Sequence, residues 1–366
     1  MKKTVFLGAL TVAGLAAGVA SAATLDDVKA RGVLNCGVTT GLVGFAAPDA
    51  NGVWEGFDVG VCRAVAAAVL GDPTAVEFVP TTGKTRFTAL ASGEIDLLAR
   101  NTTWTMSRDV DLKFEFVGVN YYDGQGFMVP KDLGVSSAKD LDGATVCIQT
   151  GTTTELNLAD FFRSNNISYE PVPIETNAEA QQQYLAGACD VYTTDASGLA
   201  ATRATFEAPD DHALLPEIVS KEPLGPLVRH GDNDWGDIAR WTLNALITAE
   251  ELGVTSANIA ELSAAPTNNP EVNRLLGTEG ELGAMLGLEA DWAKNAIMAG
   301  GNYGELFEGN IGESTPIGLA RGLNAMWTEG GLIYSPPFRE VPSMDLKGPA
   351  QTAPFFPYNT NPKTAR

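Results

Sequence analysis

Histidine is almost missing from this chain: His212 and His230 are the only two in 366 residues. Both stand in loop-like contexts without metal-ligand spacing, so they read as surface residues and a histidine-built metal centre is excluded. Cysteine is sparse as well, with four, and no pair shows the Cys-x-x-Cys spacing of zinc ribbons or dithiol redox centres. Positive charge is scarce: 24 Lys and Arg against 45 Asp and Glu give a formal net charge of −21. Nucleic acid and anionic membranes both select basic patches, so neither is an expected partner. Such a charge suits a protein that stays dissolved at high concentration. The glycine-rich dinucleotide fingerprint does not follow the first strand. Gly83-Lys84-Thr85 resembles the end of a phosphate-binding loop, but the pattern needs glycine at position 78, where Phe78 stands. No cofactor and no metal are expected. With 45% apolar and 19% charged residues the composition is globular, and the length allows two domains.

What is present begins with a leader, residues 1–22. Lys2 and Lys3 form a basic start, Val5 to Val19 is apolar and small, and Ala20-Ser21-Ala22 fits the small-x-small cleavage pattern. The mature protein is expected to begin near Ala23 and to be exported. No other run approaches membrane-spanning length. In an oxidising compartment four cysteines suggest two disulfides. Three pairings are possible; Cys36–Cys62 and Cys147–Cys189 are favoured because each keeps both partners inside one candidate lobe.

The chain then alternates. A short helix over Thr24 to Ala30 precedes a strand over Gly32 to Val38. A helix follows from Phe57 to Leu70, with Asp58 as its expected cap. A strand over Val76 to Val79, a helix over Thr85 to Ala91 and a strand over Ile95 to Ala99 complete a pattern that implies a mostly parallel sheet. Tyr121 to Val129 is an extended crossing punctuated by Gly124 and Gly126. The pattern restarts: strand Ala144 to Ile148, helix to Arg163, strand Tyr169 to Pro173, helix Ala178 to Leu185, strand Ala188 to Asp195. Glu222 to Arg229 is a second extended crossing. Two crossings imply two lobes, with the later chain returning to the first. The expected division is residues 23–124 with 229–254 as lobe 1 and 125–228 as lobe 2. A mainly helical extension over 255–339 follows, anchored by Trp292, Tyr303, Phe307 and Trp327. A Pro-rich, poorly ordered tail over 340–366 ends the chain.

The chemistry lies at strand ends, where open α/β sheets hold their ligands. Asn101, Thr103 and Arg108 follow one strand; Thr150-Gly151-Thr152-Thr153 and Asp195 follow two others. Arg108 offers a planar fork to a carboxylate, and Thr103 a hydroxyl. A helix start at Thr153 attracts anions, and Gly151 allows close approach. Asp195 can pair with an ammonium. Together these groups complement a zwitterionic amino acid, with closure of the lobes completing the site. Thr152-x-x-Glu155 also fits an ordinary capping box, and Asp195 an N-cap.

Gly56-Phe57-Asp58, Asp96 to Arg108, Thr150-Gly151-Thr152-Thr153 and Asp195 resemble the periplasmic polar amino-acid-binding proteins of ABC importers, over about Val33 to Ala249. The segments around Tyr303, Arg321 and Tyr334 are similar to the general L-amino-acid and glutamate/glutamine/aspartate/asparagine binders of that family. The resemblance implies a two-lobed α/β fold of type II-like organisation, a periplasmic and monomeric carrier, an ABC permease as partner, and no catalysis. It implies that Arg108, Thr103 and Thr153 hold the α-carboxylate, Asp195 the ammonium, and Asn101 a polar contact. Arg86 matches the arginine that acidic-amino-acid binders aim at the ligand side chain, and Phe45 a pocket wall. Two departures stand out. Arg100 occupies a usually small position, and Asn177 stands where some glutamate binders carry histidine, which implies a wider ligand range. Two rivals share the fold: a periplasmic cyclohexadienyl or arogenate dehydratase, and a ligand-sensing receptor component. The leader with no appended signalling domain favours a free carrier.

Overall fold

The computed structural model describes residues 23–340; the leader and all but the first residue of the tail lie outside the described residues. Two five-stranded sheets organise the chain. The first half supplies helix α1 (Thr24–Arg31), strand β1 (Leu34–Thr39), helix α2 (Phe57–Leu70), strand β2 (Val76–Thr81), helix α3 (Arg86–Ser92), and strands β3 (Leu97–Leu98) and β4 (Phe114–Phe116). Strand β5 (Tyr121–Asp123) then leads out of this sheet. The second half follows as β6 (Gln125–Pro130), β7 (Ala144–Gln149), α4 (Thr153–Asn165), β8 (Tyr169–Ile174), α5 (Asn177–Leu185), β9 (Val191–Asp195), α6 (Ala196–Arg203) and β10 (His212–Leu214). The chain returns through β11 (Glu222–Leu224) and β12 (Leu227–Arg229) to helix α7 (Asn233–Glu251).

The first sheet has the order β2-β1-β3-β12-β4, the second β8-β7-β9-β6-β10. In each, the strands linked through helices pair in parallel, as crossover connections require. The strands belonging to the crossings pair antiparallel. The sheets are therefore mixed rather than mostly parallel. Between them β5 and β11 form a two-stranded antiparallel ribbon, with Asp123 opposite Glu222. That ribbon carries both crossings. The return is complete earlier than the expected boundary at 228/229, because Leu227 and Val228 already pair with the first sheet.

Two local expectations are corrected. Asp58 does not cap α2: Gly56 is the N-cap residue, and the Asp58 carboxylate is buried and accepts from the Asn101 N–H at 3.2 Å. His212 is not a free surface residue: it opens β10, pairs through Nδ1 with the Tyr184 hydroxyl at 2.8 Å, and packs against Phe206.

Both disulfides join the favoured partners. Cys36–Cys62 ties β1 to α2, and Cys147–Cys189 ties β7 to the segment entering β9. Helix α7 shows why the chain returns. Trp235, Ile238, Ala239, Thr242, Leu246 and Ala249 recur at helical spacing, are buried, and belong to one face. Trp235 also donates its indole N–H to the Asp96 carbonyl at 2.9 Å.

Helices α8 (Trp292–Met298) and α9 (Tyr303–Asn310) of the extension share the first lobe's core with α2 and α7. The extension also grips the crossing. Tyr303 donates to the Asn120 carbonyl at 2.8 Å, Phe307 stacks on Tyr121, and Asn324 brackets the Tyr122 backbone. Trp292, Tyr303 and Phe307 are buried anchors. Trp327 is not: it is half exposed and donates to Glu251 at 3.2 Å. Among the described residues no helix is long and apolar enough to cross a membrane.

Candidate functional site

The carboxyl ends of β1, β3, β7 and β9 face one cleft between the lobes. The lobes touch across it. Asn101 Nδ2 donates to Asp195 Oδ2 at 3.3 Å, the Thr103 and Thr153 hydroxyls lie 3.2 Å apart, and Asn177 Nδ2 donates to the Gly41 carbonyl at 3.2 Å. At the rim Lys84 pairs with Glu175 at 2.9 Å; both side chains are about half exposed, so the pair adds little stability.

One end of the cleft is acidic. Asp195 ends β9 and takes the N-cap position of α6, yet makes no capping bond. Its carboxyl is buried, and burial, reinforced by the charges of Asp123 and Glu222, holds it well above the usual carboxylate range. Arg86 and the Asn101 amide oppose that shift. Asn101 follows β3 with a backbone φ of 33°, a left-handed conformation that asparagine tolerates better than most residues. While its Nδ2 reaches Asp195, its Oδ1 is buried without a partner among the described residues. Beneath it, burial raises the Asp58 carboxyl to about 7, against the Asn101 N–H, Asn120 and Arg100.

The other end is basic. Arg86 begins α3 and is 2% exposed. Among the described residues its guanidinium makes two hydrogen bonds, both long, 3.3 Å to Thr102 Oγ1 and 3.4 Å to the Gly151 carbonyl, and its Nε has no partner. Burial, then the Arg100 and Arg108 charges, push it well below the ordinary guanidinium value. Arg100 also lines the cleft, donates to the Thr81 carbonyl at 3.1 Å, and is lowered to about 10 by burial and by Arg108. A buried guanidinium with donors left over can accommodate a further acceptor.

The remaining expected residues divide. Thr103, Thr153 and Asn177 line the cleft. The Asn177 Oδ1 accepts from Tyr192 and more weakly from Thr202, so both the oxygen and the nitrogen of its amide are engaged. Arg108 lies behind the wall: it donates to the Thr103 carbonyl at 2.9 Å, rests over the Phe87 ring, and is lowered to about 10 chiefly by burial. Phe45 is not a wall. It is fully buried edge-on to Phe57 and Tyr121, and Leu42 lines the cleft instead, because a backbone bridge between Leu42 and Ala46 turns this loop inward. The capping box is only half formed. Thr152 accepts from the Glu155 N–H at 3.1 Å, while Glu155 turns to the Gly151 N–H at 2.9 Å.

One residue here escaped the sequence reading. Glu222, on β11, is 1% exposed and collects four hydrogen bonds. Thr103 and Thr153 donate to its Oε2, the latter at 2.9 Å; Asn157 and Ser220 donate to its Oε1, both at 2.7 Å. The one available signal was a carboxylate at the head of an otherwise apolar crossing. Among the described residues no three His, Cys, Asp or Glu side chains gather as metal donors.

Two α/β lobes joined by crossing strands, with a polar cleft between their strand ends, define a protein of the periplasmic-binding-protein fold. The chain belongs to the bacterial extracellular solute-binding proteins, family 3, which it matches over residues 34–258. It is 68% identical to the glutamate/glutamine/aspartate/asparagine-binding protein BztA of Rhodobacter capsulatus, over 93% of this chain and all of that protein. It is 58% identical to the general L-amino acid-binding periplasmic protein AapJ of Rhizobium johnstonii, over 93% of this chain and all of that one. A Brucella ovis ABC transporter / periplasmic binding protein with glutathione bound superposes with a TM-score of 0.84 at 55% identity, covering 87% of this chain and all of that one.

Proposed function

We propose that this protein is exported to the periplasm, loses its leader near Ala23, and as a monomer captures L-amino acids between its lobes for delivery to an ABC permease, without chemical turnover. The observation that carries this reading is the pairing of opposite unmet demands in one cleft. At one end are a buried carboxyl, Asp195, and an orphaned acceptor, Asn101 Oδ1; at the other are the under-partnered guanidinium of Arg86 and the buried Arg100. A zwitterion with a polar or anionic side chain meets both. Asp195 and Asn101 take the ammonium. Thr103 and Thr153, backed by Arg108, take the α-carboxylate. Arg86 and Arg100 read the side chain, and Asn177 closes the wall. One relative's name supports glutamate, glutamine, aspartate and asparagine as the ligand set, and the other's a general range of L-amino acids. Glutathione also belongs in a ligand panel, because its γ-glutamyl end carries the same ammonium and α-carboxylate.

Each of the four amino acids is expected to raise the melting temperature. At 100 times its dissociation constant a ligand adds about 2.7 kcal/mol of stability. No shift with any of them would remove the reading. A dehydratase would use the same Asp195 as its acid; turnover of prephenate or arogenate by the purified chain is the result that would favour that rival.

Closure itself can be tested at the rim. A methyl group on Gly83 would lie 2.7 Å from the Thr150 carbonyl oxygen on the opposite lobe, nearer than real contacts allow. Gly83→Ala is therefore expected to weaken all ligands by about tenfold or more, while the ligand-free melting temperature stays within a few degrees. Calorimetry and thermal melts read the two effects separately.

A further inference from the structure

We propose that Glu222 is a built-in competitor for the ligand's α-carboxylate: it holds the protons of Thr103 and Thr153, and an arriving amino acid must take them back. This rests on the amino-acid reading above and adds to it the group that sets how tightly the cleft binds.

A threonine hydroxyl has one hydrogen to donate. Thr103 Oγ1 and Thr153 Oγ1 come from opposite lobes, lie 3.2 Å apart, and both donate to the same oxygen, Glu222 Oε2. While they do so, neither can donate to a second carboxylate. Glu222 does not need them for its other oxygen, which Asn157 and Ser220 already satisfy at 2.7 Å each. Its position suits a competitor. It sits on β11 of the crossing ribbon, bonded to two hydroxyls that line the cleft, and Thr103 also makes a backbone bridge to Leu224 on the same strand. It reaches across the junction of the lobes, so it does what a ligand carboxylate does: it gives first-lobe and second-lobe hydroxyls one common acceptor.

Charge acts in the same direction. The ligand's α-carboxylate would settle beside a second, buried carboxylate, and like charges in a desolvated site repel. Arg108, whose charge interacts with Glu222, is shared between the two. A ligand therefore binds at the expense of a contact the free protein already makes. The net affinity is lowered by the worth of that contact.

Removing the competitor should tighten binding. By calorimetry with L-glutamate and L-glutamine, Glu222→Ala is expected to lower both dissociation constants about tenfold, the worth of the released hydrogen bonds and charge. Glu222→Gln keeps the size and loses the charge, and is expected to tighten binding about threefold. The decisive readout is coupling. Thr103→Val should cost about tenfold more in the Glu222→Ala background than in the wild type, because only there is the hydroxyl proton free for the ligand. Equal or weaker binding by a folded Glu222→Ala protein, or equal Thr103→Val costs in both backgrounds, overturns the proposal. If Glu222→Ala does not fold, Glu222→Gln decides it, and unchanged or weaker binding there overturns it. A wild type that binds neither amino acid sinks the amino-acid reading itself, which is a different result from a wild type that binds and a variant that does not tighten.

Discussion

Replacing Asp195 by asparagine is expected to weaken every amino-acid ligand by roughly 150- to 5,000-fold, or about 3–5 kcal/mol, the cost of leaving one member of a buried ion pair without its partner. The loss should be the same for glutamate, glutamine, aspartate and asparagine, because the ammonium is common to all four. The variant is expected to fold at least as well as the wild type. Burial and the Asp123 and Glu222 charges hold the Asp195 carboxyl well above its usual range, so a neutral amide relieves that demand.

The same residue gives a pH dependence with a definite sign. Arg86 and Arg100 face Asp195 from the first lobe, Asp123 and Glu222 from the crossing strands, and Tyr192 from its own strand. The sum holds its carboxyl well above the usual carboxylate range. An ammonium ligand requires the ionised form. Binding is therefore complete above that raised value and falls by about tenfold per pH unit below it, with about one proton released per ligand bound. Calorimetry in buffers of different ionisation enthalpy reads the proton directly. In Asp195→Asn that proton release should vanish; a release of the same size in the variant would assign it to another group.

Arg86→Met is expected to separate ligands by charge. Glutamate and aspartate should weaken by roughly 30-fold or more, the cost of truncating one partner of a buried charge pair, while glutamine and asparagine should lose only a few-fold. The asymmetry follows from what Arg86 lacks. It makes two long hydrogen bonds, its Nε has none, and two further arginines repel it. Methionine keeps much of the length and removes the charge, so the core beside Phe87 stays filled. The variant is also expected to melt at or above the wild-type temperature without ligand, because a buried and poorly paired charge is gone. Equal losses for acidic and neutral ligands would show that Arg86 does not read the side chain, and would leave that role to Arg100.

The parts of this site that could be read from the sequence share a feature: polar residues placed directly after a short apolar run. Leu97-Leu98 followed by Arg100, Asn101 and Thr103, and Val191 to Thr194 followed by Asp195, announce strand ends, and strand ends converge in this fold. The disulfides were legible for a similar reason, since each pair lies within one lobe. What misled was local chemistry with two solutions. Asp58 at the start of a helix looks like a cap, yet its backbone already lies inside the turn and its carboxylate faces the Asn101 N–H. Phe45 looks like a pocket wall, yet the bridge from Leu42 to Ala46 turns it into an aromatic cluster with Phe57 and Tyr121. Trp327 looks like a core anchor but sits half exposed in the extension. Glu222 was beyond local reading altogether. Two of its three hydroxyl partners, Thr103 and Thr153, lie 119 and 69 residues away, brought to it by the crossing of the two lobes.

The central claim is that the interlobe cleft holds one whole amino acid by both of its charged ends. Calorimetric titration of the purified mature protein with L-glutamate, repeated with the same molecule lacking its α-ammonium group and then with it lacking its α-carboxylate, tests that most directly. The account predicts saturable binding of L-glutamate at one per chain and a loss of about 100-fold or more for each truncated ligand. Equal affinity for L-glutamate and either truncated form, or no binding of L-glutamate, glutamine, aspartate or asparagine at all, would contradict it.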